Sequence, residues 1–227
     1  MSAPQPAATR GRFVTFEGGE GVGKSTQLKR LAAKLGDRGL DVVTTREPGG
    51  SPLAETLRGA LLSGRAAPLG PLGEATLFTA ARIDHVDKVI APALARGAFV
   101  LCDRFADSTR AYQGALGAVD ARMIALLERV ALGDLRPDLT LVLDLPAREA
   151  QARAAARRGA GAAPDRFEGE DDAFHAALRK AFLDIADEAP DRCRVVDAGL
   201  PVEDVAAAIW REVEARCLEP APAKATA

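Results

Sequence analysis

The chain has no asparagine at all and only two histidines, three cysteines, one tryptophan and one tyrosine in 227 residues. Each scarcity removes a class of function. With His85 and His175 alone, a zinc site built on several histidines is excluded. Cys102, Cys193 and Cys217 are odd in number and far apart; they form no CxxC pair and no disulfide framework, which fits a reducing cytoplasm. No stretch approaches the roughly 20 uncharged apolar residues that span a bilayer. The N-terminal segment MSAPQPAATR lacks the apolar core of a signal peptide. A cytoplasmic chain without membrane contact is expected. Neither sign of charge dominates: 30 Lys+Arg stand against 32 Asp+Glu, a net charge of −2, which argues against a general nucleic-acid binder.

Apolar residues make up 48% and charged residues 27%, as in ordinary globular domains. The Pro/Ala-rich ends, 1–10 and 219–227, read as disordered tails around one domain over 11–218. Within it, apolar runs bounded by turn signals predict strands over 12–17, 40–45, 98–103, 139–144 and 194–197. They read as buried on both faces, as in a parallel sheet. Helical patterns lie between them, over about 24–36, 53–62, 73–96, 119–132, 147–158, 171–187 and 202–216. Alternation of this kind predicts right-handed crossovers and an α/β layer sandwich. The Arg-, Ala- and Gly-rich stretch at about 148–170 interrupts that rhythm and is expected to form a lid.

Gly18-Gly19-Glu20-Gly21-Val22-Gly23-Lys24-Ser25, followed by Thr26, matches GxxxxGK[ST] between the first strand and the first helix. Glycines let successive N–H groups turn inward as an anion nest at a helix N-terminus. Lys24 adds a point charge for a transferring phosphate, and Ser25 offers an oxygen to Mg²⁺. A nucleoside triphosphate is the expected ligand. The absent asparagine excludes the Asn-Lys-x-Asp motif by which common GTPases read guanine.

Further signals surround this loop. Arg46, in TREPGG, can fork onto a phosphate or a carboxylate. Asp103, at the end of the third strand, can reach the Mg²⁺ of the loop, and Arg104 can clamp an acceptor phosphate. Phe78, Arg82 and His85 share one helical face, a pattern that suits base recognition or plain core packing. Arg148, Arg153, Arg157, Arg158 and Arg166 crowd like charges that a bound polyphosphate would relieve; a solvated basic face is the other reading.

Together FEGGEGVGKST (16–26), TREPGG (45–50), LFTAAR (77–82), DRFADSTRAYQG (103–114), LDLP (143–146) and DRFE (165–168) resemble the thymidylate kinase family in order and spacing. The resemblance implies a three-layer P-loop fold with a five-stranded parallel sheet in order 2-3-1-4-5, an Arg-rich lid, a homodimer, and phosphoryl transfer from MgATP to dTMP. At matching positions it implies that Gly18 to Thr26 hold ATP, with Lys24 and Arg104 catalytic and Ser25 and Asp103 near Mg²⁺. Glu20, Arg46, Phe78, Arg82, Arg104, Ser108, Thr109, Tyr112 and Gln113 would bind dTMP, with Tyr112 against C2′ of the sugar. The loop carries no arginine of its own, so the catalytic arginine is expected from the lid, Arg158 first and Arg153 beside it, with Arg157 as a further choice. A different small-molecule kinase of this fold and an ATP-dependent regulatory switch remain alternatives at this point.

Overall fold

The computed structural model describes residues 10–158, 166–167 and 169–218, with Arg158 placed by its backbone alone. Apart from Arg10, the expected tails lie outside the described residues, as do lid residues 159–165 and Glu168. Among the described residues, β1 (Phe13–Glu17), β2 (Val42–Arg46), β3 (Phe99–Asp103), β4 (Leu139–Asp144) and β5 (Cys193–Asp197) pair in parallel in the order β2-β3-β1-β4-β5. The expected strand order holds. The middle strands are buried on both faces, whereas β2 and β5, at the edges, are partly exposed. That corrects the expectation of full burial: an edge strand has one flank without a neighbour.

Strand alternation sends Val14 and Phe16 into one layer and Phe13 into the other. On the first face, α1 (Lys24–Gly36) brings Leu28, Leu31 and Leu35, and α9 (Val202–Val213) brings Val205, Ile209 and Trp210. Trp210 is a core residue, as its place on an amphipathic helix predicts; Lys34 and Arg38 lie over its outer ring face. The opposite face is covered by α4 (Ala91–Ala95), α6 (Ala121–Leu132) and α8 (Asp172–Glu188).

Two stretches differ from the helical pattern read in the sequence. The single helix expected over 73–96 is α3 (Gly70–His85), a π-helical turn (Val86–Ile90) and then α4. Pro92 lacks the N–H that would bond four residues back, and the ladder widens just before it. The polar run after β3 is itself helical: α5 (Ala106–Thr109) continues into a seven-residue π-helical segment, Arg110–Leu116. The remaining α-helices are α2 (Pro52–Leu62) and α7 (Ala147–Arg158); a 3₁₀ turn (Ala67–Leu69) precedes α3, and a π-helical turn (Glu214–Leu218) ends the helix expected over 202–216.

Candidate active site

At the carboxyl edge of β1 the chain turns through Gly18 (φ 126°), Gly21 (φ 74°) and Gly23 (φ 97°) before entering α1. Gly21 has a second reason to lack a side chain, because a Cβ there would collide with the Ala150 carbonyl of α7. The first turn of α1 has neither a side-chain cap nor an acidic residue, so its N–H groups are left for an anion. Lys24 is buried, and its Nζ donates to the Gly18 carbonyl (3.1 Å) and the Gly19 carbonyl (2.6 Å). Burial and the nearby Arg104 charge lower its pKa. Ser25 Oγ donates to Asp103 Oδ2 at 2.6 Å, which joins the helix start to the end of β3. An open cleft of about 1120 Å³ lies over these groups; Lys24, Arg46, Arg58, Arg104 and Arg157 line it with positive charge.

Arg104 joins this cleft to a second one. It has φ 70°, a left-handed conformation that is rare and strained for a residue with a side chain. Its Nη1 donates to the Gly18 carbonyl (3.1 Å) and Ser108 Oγ (3.1 Å), its Nη2 pairs with Glu20, and the guanidinium lies 5.3 Å from the Tyr112 ring. Burial works against its charge, but Tyr112, Glu20, Asp103 and Glu17 raise its pKa above the ordinary arginine value. Glu20 shows the complement: burial alone would raise its carboxyl, yet Arg104 and Lys24 hold it down at about 2.

The second cavity, of about 560 Å³, is lined by Phe78, Arg82, Ser108, Thr109, Tyr112 and Gln113, all expected there. Arg82 is buried. Its Nε donates to Glu47 Oε2 (2.7 Å) and its Nη2 to the Phe105 carbonyl (3.1 Å) and Thr109 Oγ1 (3.0 Å). Nη1 has no partner among the described residues, so its two hydrogens are left for the cavity. Glu17 fixes the far wall: its carboxylate accepts from the Phe105 N–H (2.8 Å) and Ser108 Oγ (2.7 Å). Burial, assisted by Asp107, raises the Glu17 carboxyl to about 7. Asp107 in turn is bound by Arg192 Nη1 (2.6 Å) and Nη2 (2.8 Å), which ties α5 to the start of β5.

Sequence reasoning missed several lining residues. Arg58, on α2, lines both cavities and donates to the Pro48 carbonyl at 2.7 Å. Glu47 also lines both, and Phe167 closes the second cavity beside Tyr112 (5.2 Å between ring centres) and Phe78 (6.5 Å). The DRFE segment was the signal for Phe167; the other two have only their place in helix and loop. Arg46 reaches the cleft wall, but its Nη2 donates to both oxygens of Glu55 (2.9 and 3.1 Å), so its partner here is a carboxylate. Of the lid arginines, Arg157 lines the phosphate cleft, whereas Arg153 donates to the Ala198 carbonyl (2.9 Å) after β5 and is absent from the cleft lining. That corrects the expectation for Arg153. The two share a face of α7 one turn apart; the turn nearer the helix start brings Arg153 to the residue after β5, while Arg157 reaches the cleft. The side chain of Arg158 lies outside the described residues.

A family model described as thymidylate kinase matches residues 16–209. The chain belongs to the thymidylate kinase family. It is 58% identical over 207 residues to a thymidylate kinase of Bradyrhizobium sp., covering 91% of each chain. With the thymidylate kinase of Bradyrhizobium diazoefficiens it shares 55% identity over 222 residues, 98% of this chain and 96% of the relative. The crystal structure of thymidylate kinase from Ehrlichia chaffeensis superposes with a TM-score of 0.71 at 33% identity, covering 90% of this chain and 99% of that one. Among the described residues no helix is long and apolar enough to cross a membrane, and the three cysteines are free and buried.

Proposed function

We propose that the chain transfers the γ-phosphoryl group of ATP to dTMP, giving dTDP and ADP in the supply of dTTP. One observation carries this reading beside the family: the cationic cleft over the P-loop and the aromatic-walled cavity share Glu20, Glu47, Arg58 and Arg104. Two ligands seated there meet at Arg104. The thymine ring would lie against Phe78, with its carbonyl edge on Arg82 Nη1. The sugar would face Tyr112 and Glu20, and the acceptor phosphate Arg46, Arg58 and Arg104. Ser108, Thr109 and Gln113 would complete the wall. ATP phosphates would lie on the amides of Gly18 to Thr26 and on Lys24.

The reaction needs no protein nucleophile. An acceptor phosphate oxygen attacks the γ-phosphorus in line, the bond from γ-phosphorus to the β,γ-bridging oxygen breaks, and ADP leaves. Lys24 and Arg104 hold the two phosphates in line, and Arg157 takes the catalytic place first expected of Arg158. One domain over 11–218 carries both sites, and the segment at about 148–170 serves as its lid. Ser25 and Asp103 suit magnesium: their oxygens touch across the cleft, and this ion accepts one or two protein oxygens with phosphates and waters completing its shell. Among the described residues no trio of His, Cys, Asp or Glu would hold a metal without substrate. Bound there, magnesium supplies charge neutralisation to the phosphates.

A homodimer is proposed through α3 and α6, where Leu72, Ile83, Met123, Leu126 and Val130 stand exposed on neighbouring helices. The free cysteines support a reducing cytoplasm as the setting. The test of the activity is ADP release with ATP and dTMP, dUMP, UMP, dCMP, AMP or GMP offered separately. Strong stimulation by dTMP, less by dUMP and none by UMP is expected. Preference for another monophosphate refutes the base assignment, and silence across the panel with ATP still bound points to a regulatory switch.

A further inference from the structure

His85 is fully buried, and both ring nitrogens are engaged by residues about forty positions away in sequence. Nε2 lies 2.6 Å from Thr45 Oγ1 at the end of β2, and Nδ1 lies 3.0 Å from Glu47 Oε1. A nitrogen facing a carboxylate oxygen carries the hydrogen, so Nδ1 donates to Glu47. The other oxygen of Glu47 accepts from Arg82 Nε at 2.7 Å, and Arg82 continues to Thr109. Gly50 (φ 86°) seals the outer side; a Cβ there would collide with the His85 ring and with Thr45 Oγ1. A relay thus runs Thr45–His85–Glu47–Arg82–Thr109 through the wall of the acceptor cavity.

We infer that His85 is a positioning residue: through Nδ1 it holds Glu47, and through Glu47 it sets the angle at which Arg82 presents Nη1 to the nucleobase. This rests on the acceptor-site reading above. Arg82 has a flexible stem, and only two of its three nitrogens are fixed by protein groups, Nη2 by Phe105 and Thr109 and Nε by Glu47 alone. If Glu47 rotates, the fork turns about Nη2 and Nη1 leaves the base edge. Thr45 precedes Arg46, so the same ring also ties the base-reading arginine to the strand end that reaches the phosphate cleft.

Two substitutions in the full-length chain separate this role from packing. In His85→Asn the amide nitrogen stands near the place of Nδ1 and keeps the donor to Glu47. In His85→Gln it stands near the place of Nε2 and keeps only the Thr45 side. A misplacement of about 1 Å is worth up to ~100-fold, so a rise of ~10-fold in the dTMP KM is expected for Gln and less than ~3-fold for Asn. kcat and the ATP KM stay near the unsubstituted values in both, because His85 touches neither substrate. A packing role predicts the reverse order, since Asn leaves the larger void. An Asn variant equal to or worse than Gln in dTMP KM overturns the relay, as do variants that shift only the melting temperature. Arg82→Ala is the control: an unchanged dTMP KM there overturns the acceptor-site reading and the relay with it. A raised KM in that control beside equal Asn and Gln variants overturns the relay alone.

Discussion

Replacing Arg82 by alanine acts on two quantities that the geometry lets one separate. The Arg82 and Glu47 side chains are 3% and 5% exposed, so removing the guanidinium leaves Glu47 Oε2 buried without its cation. Breaking such a pair costs about 3–5 kcal/mol. His85 still holds the other oxygen at 3.0 Å, which places the loss near the lower end. For a chain of this length about 3 kcal/mol corresponds to a melting point lower by about 6–12 °C. The lost hydrogen bond from a charged donor to the base is worth about 1.5–3 kcal/mol, a rise of ~10- to 150-fold in the KM for dTMP. Arg82 does not line the P-loop cleft, so the KM for ATP stays within ~3-fold. The assay is coupled ADP release below the variant's melting point, with dTMP varied at saturating ATP and then the reverse. Arg82→Lys serves as companion: it returns a cation to Glu47 and recovers stability, but without the planar fork its dTMP KM stays high. Equal damage to both substrates, or a melting point that does not move, refutes the reasoning.

Other consequences are as direct. Lys24→Ala lowers turnover by ~10²–10³ while the melting temperature stays close to the original, because its hydrogen-bond partners are two neutral backbone carbonyls, of Gly18 and Gly19, rather than a buried carboxylate; near-normal turnover removes Lys24 from the chemistry. Arg157→Ala loses ~10³-fold in kcat and Arg153→Ala less than ~10-fold, read in the same steady-state assay; the opposite order returns the catalytic role to Arg153. Glu17 is raised from 4.5 to about 7, so between those values the folded chain holds a proton that the unfolded chain has released, and stability falls as pH rises through that window. Glu17→Gln removes that slope: its melting temperature relative to the natural chain rises from pH 5 to pH 8 in scanning calorimetry, and a constant gap contradicts the burial effect. Val130→Arg, at a position 65% exposed, converts the proposed dimer to a monomer in sedimentation, whereas an unchanged mass moves the interface elsewhere.

The parts of the site that were legible in the sequence are those whose partners are close in sequence or whose chemistry demands a fixed spacing. The P-loop is such a case: its glycines, Lys24 and Ser25 fall within eight residues, and α1 begins at Lys24 as expected. The buried strand β4 was read to the residue because no charge or turn signal interrupts LTLVL. Glu47 and Arg58 escaped notice because their importance lies in long-range contacts, Glu47 with a guanidinium 35 positions away. Arg153 and Arg157 share one sequence signal, and only the packing of α7 against the P-loop sorts them. The break before Pro92 stayed hidden because an unbroken apolar pattern reads the same through an α- or a π-turn.

Ser108, Thr109, Tyr112 and Gln113 all face one cavity, at relative positions 0, 1, 4 and 5. In an ordinary α-helix these four positions would spread over about 140° of the helix surface. The wider winding of Arg110–Leu116 brings them together. The selectivity of this wall is therefore stored in residue count as well as residue type. Removing Ala111, which does not line the cavity, would turn Tyr112 and Gln113 about the helix axis relative to Ser108 and Thr109. A transplanted copy of the four side chains on a straight helical scaffold would inherit the letters of the motif without its grip.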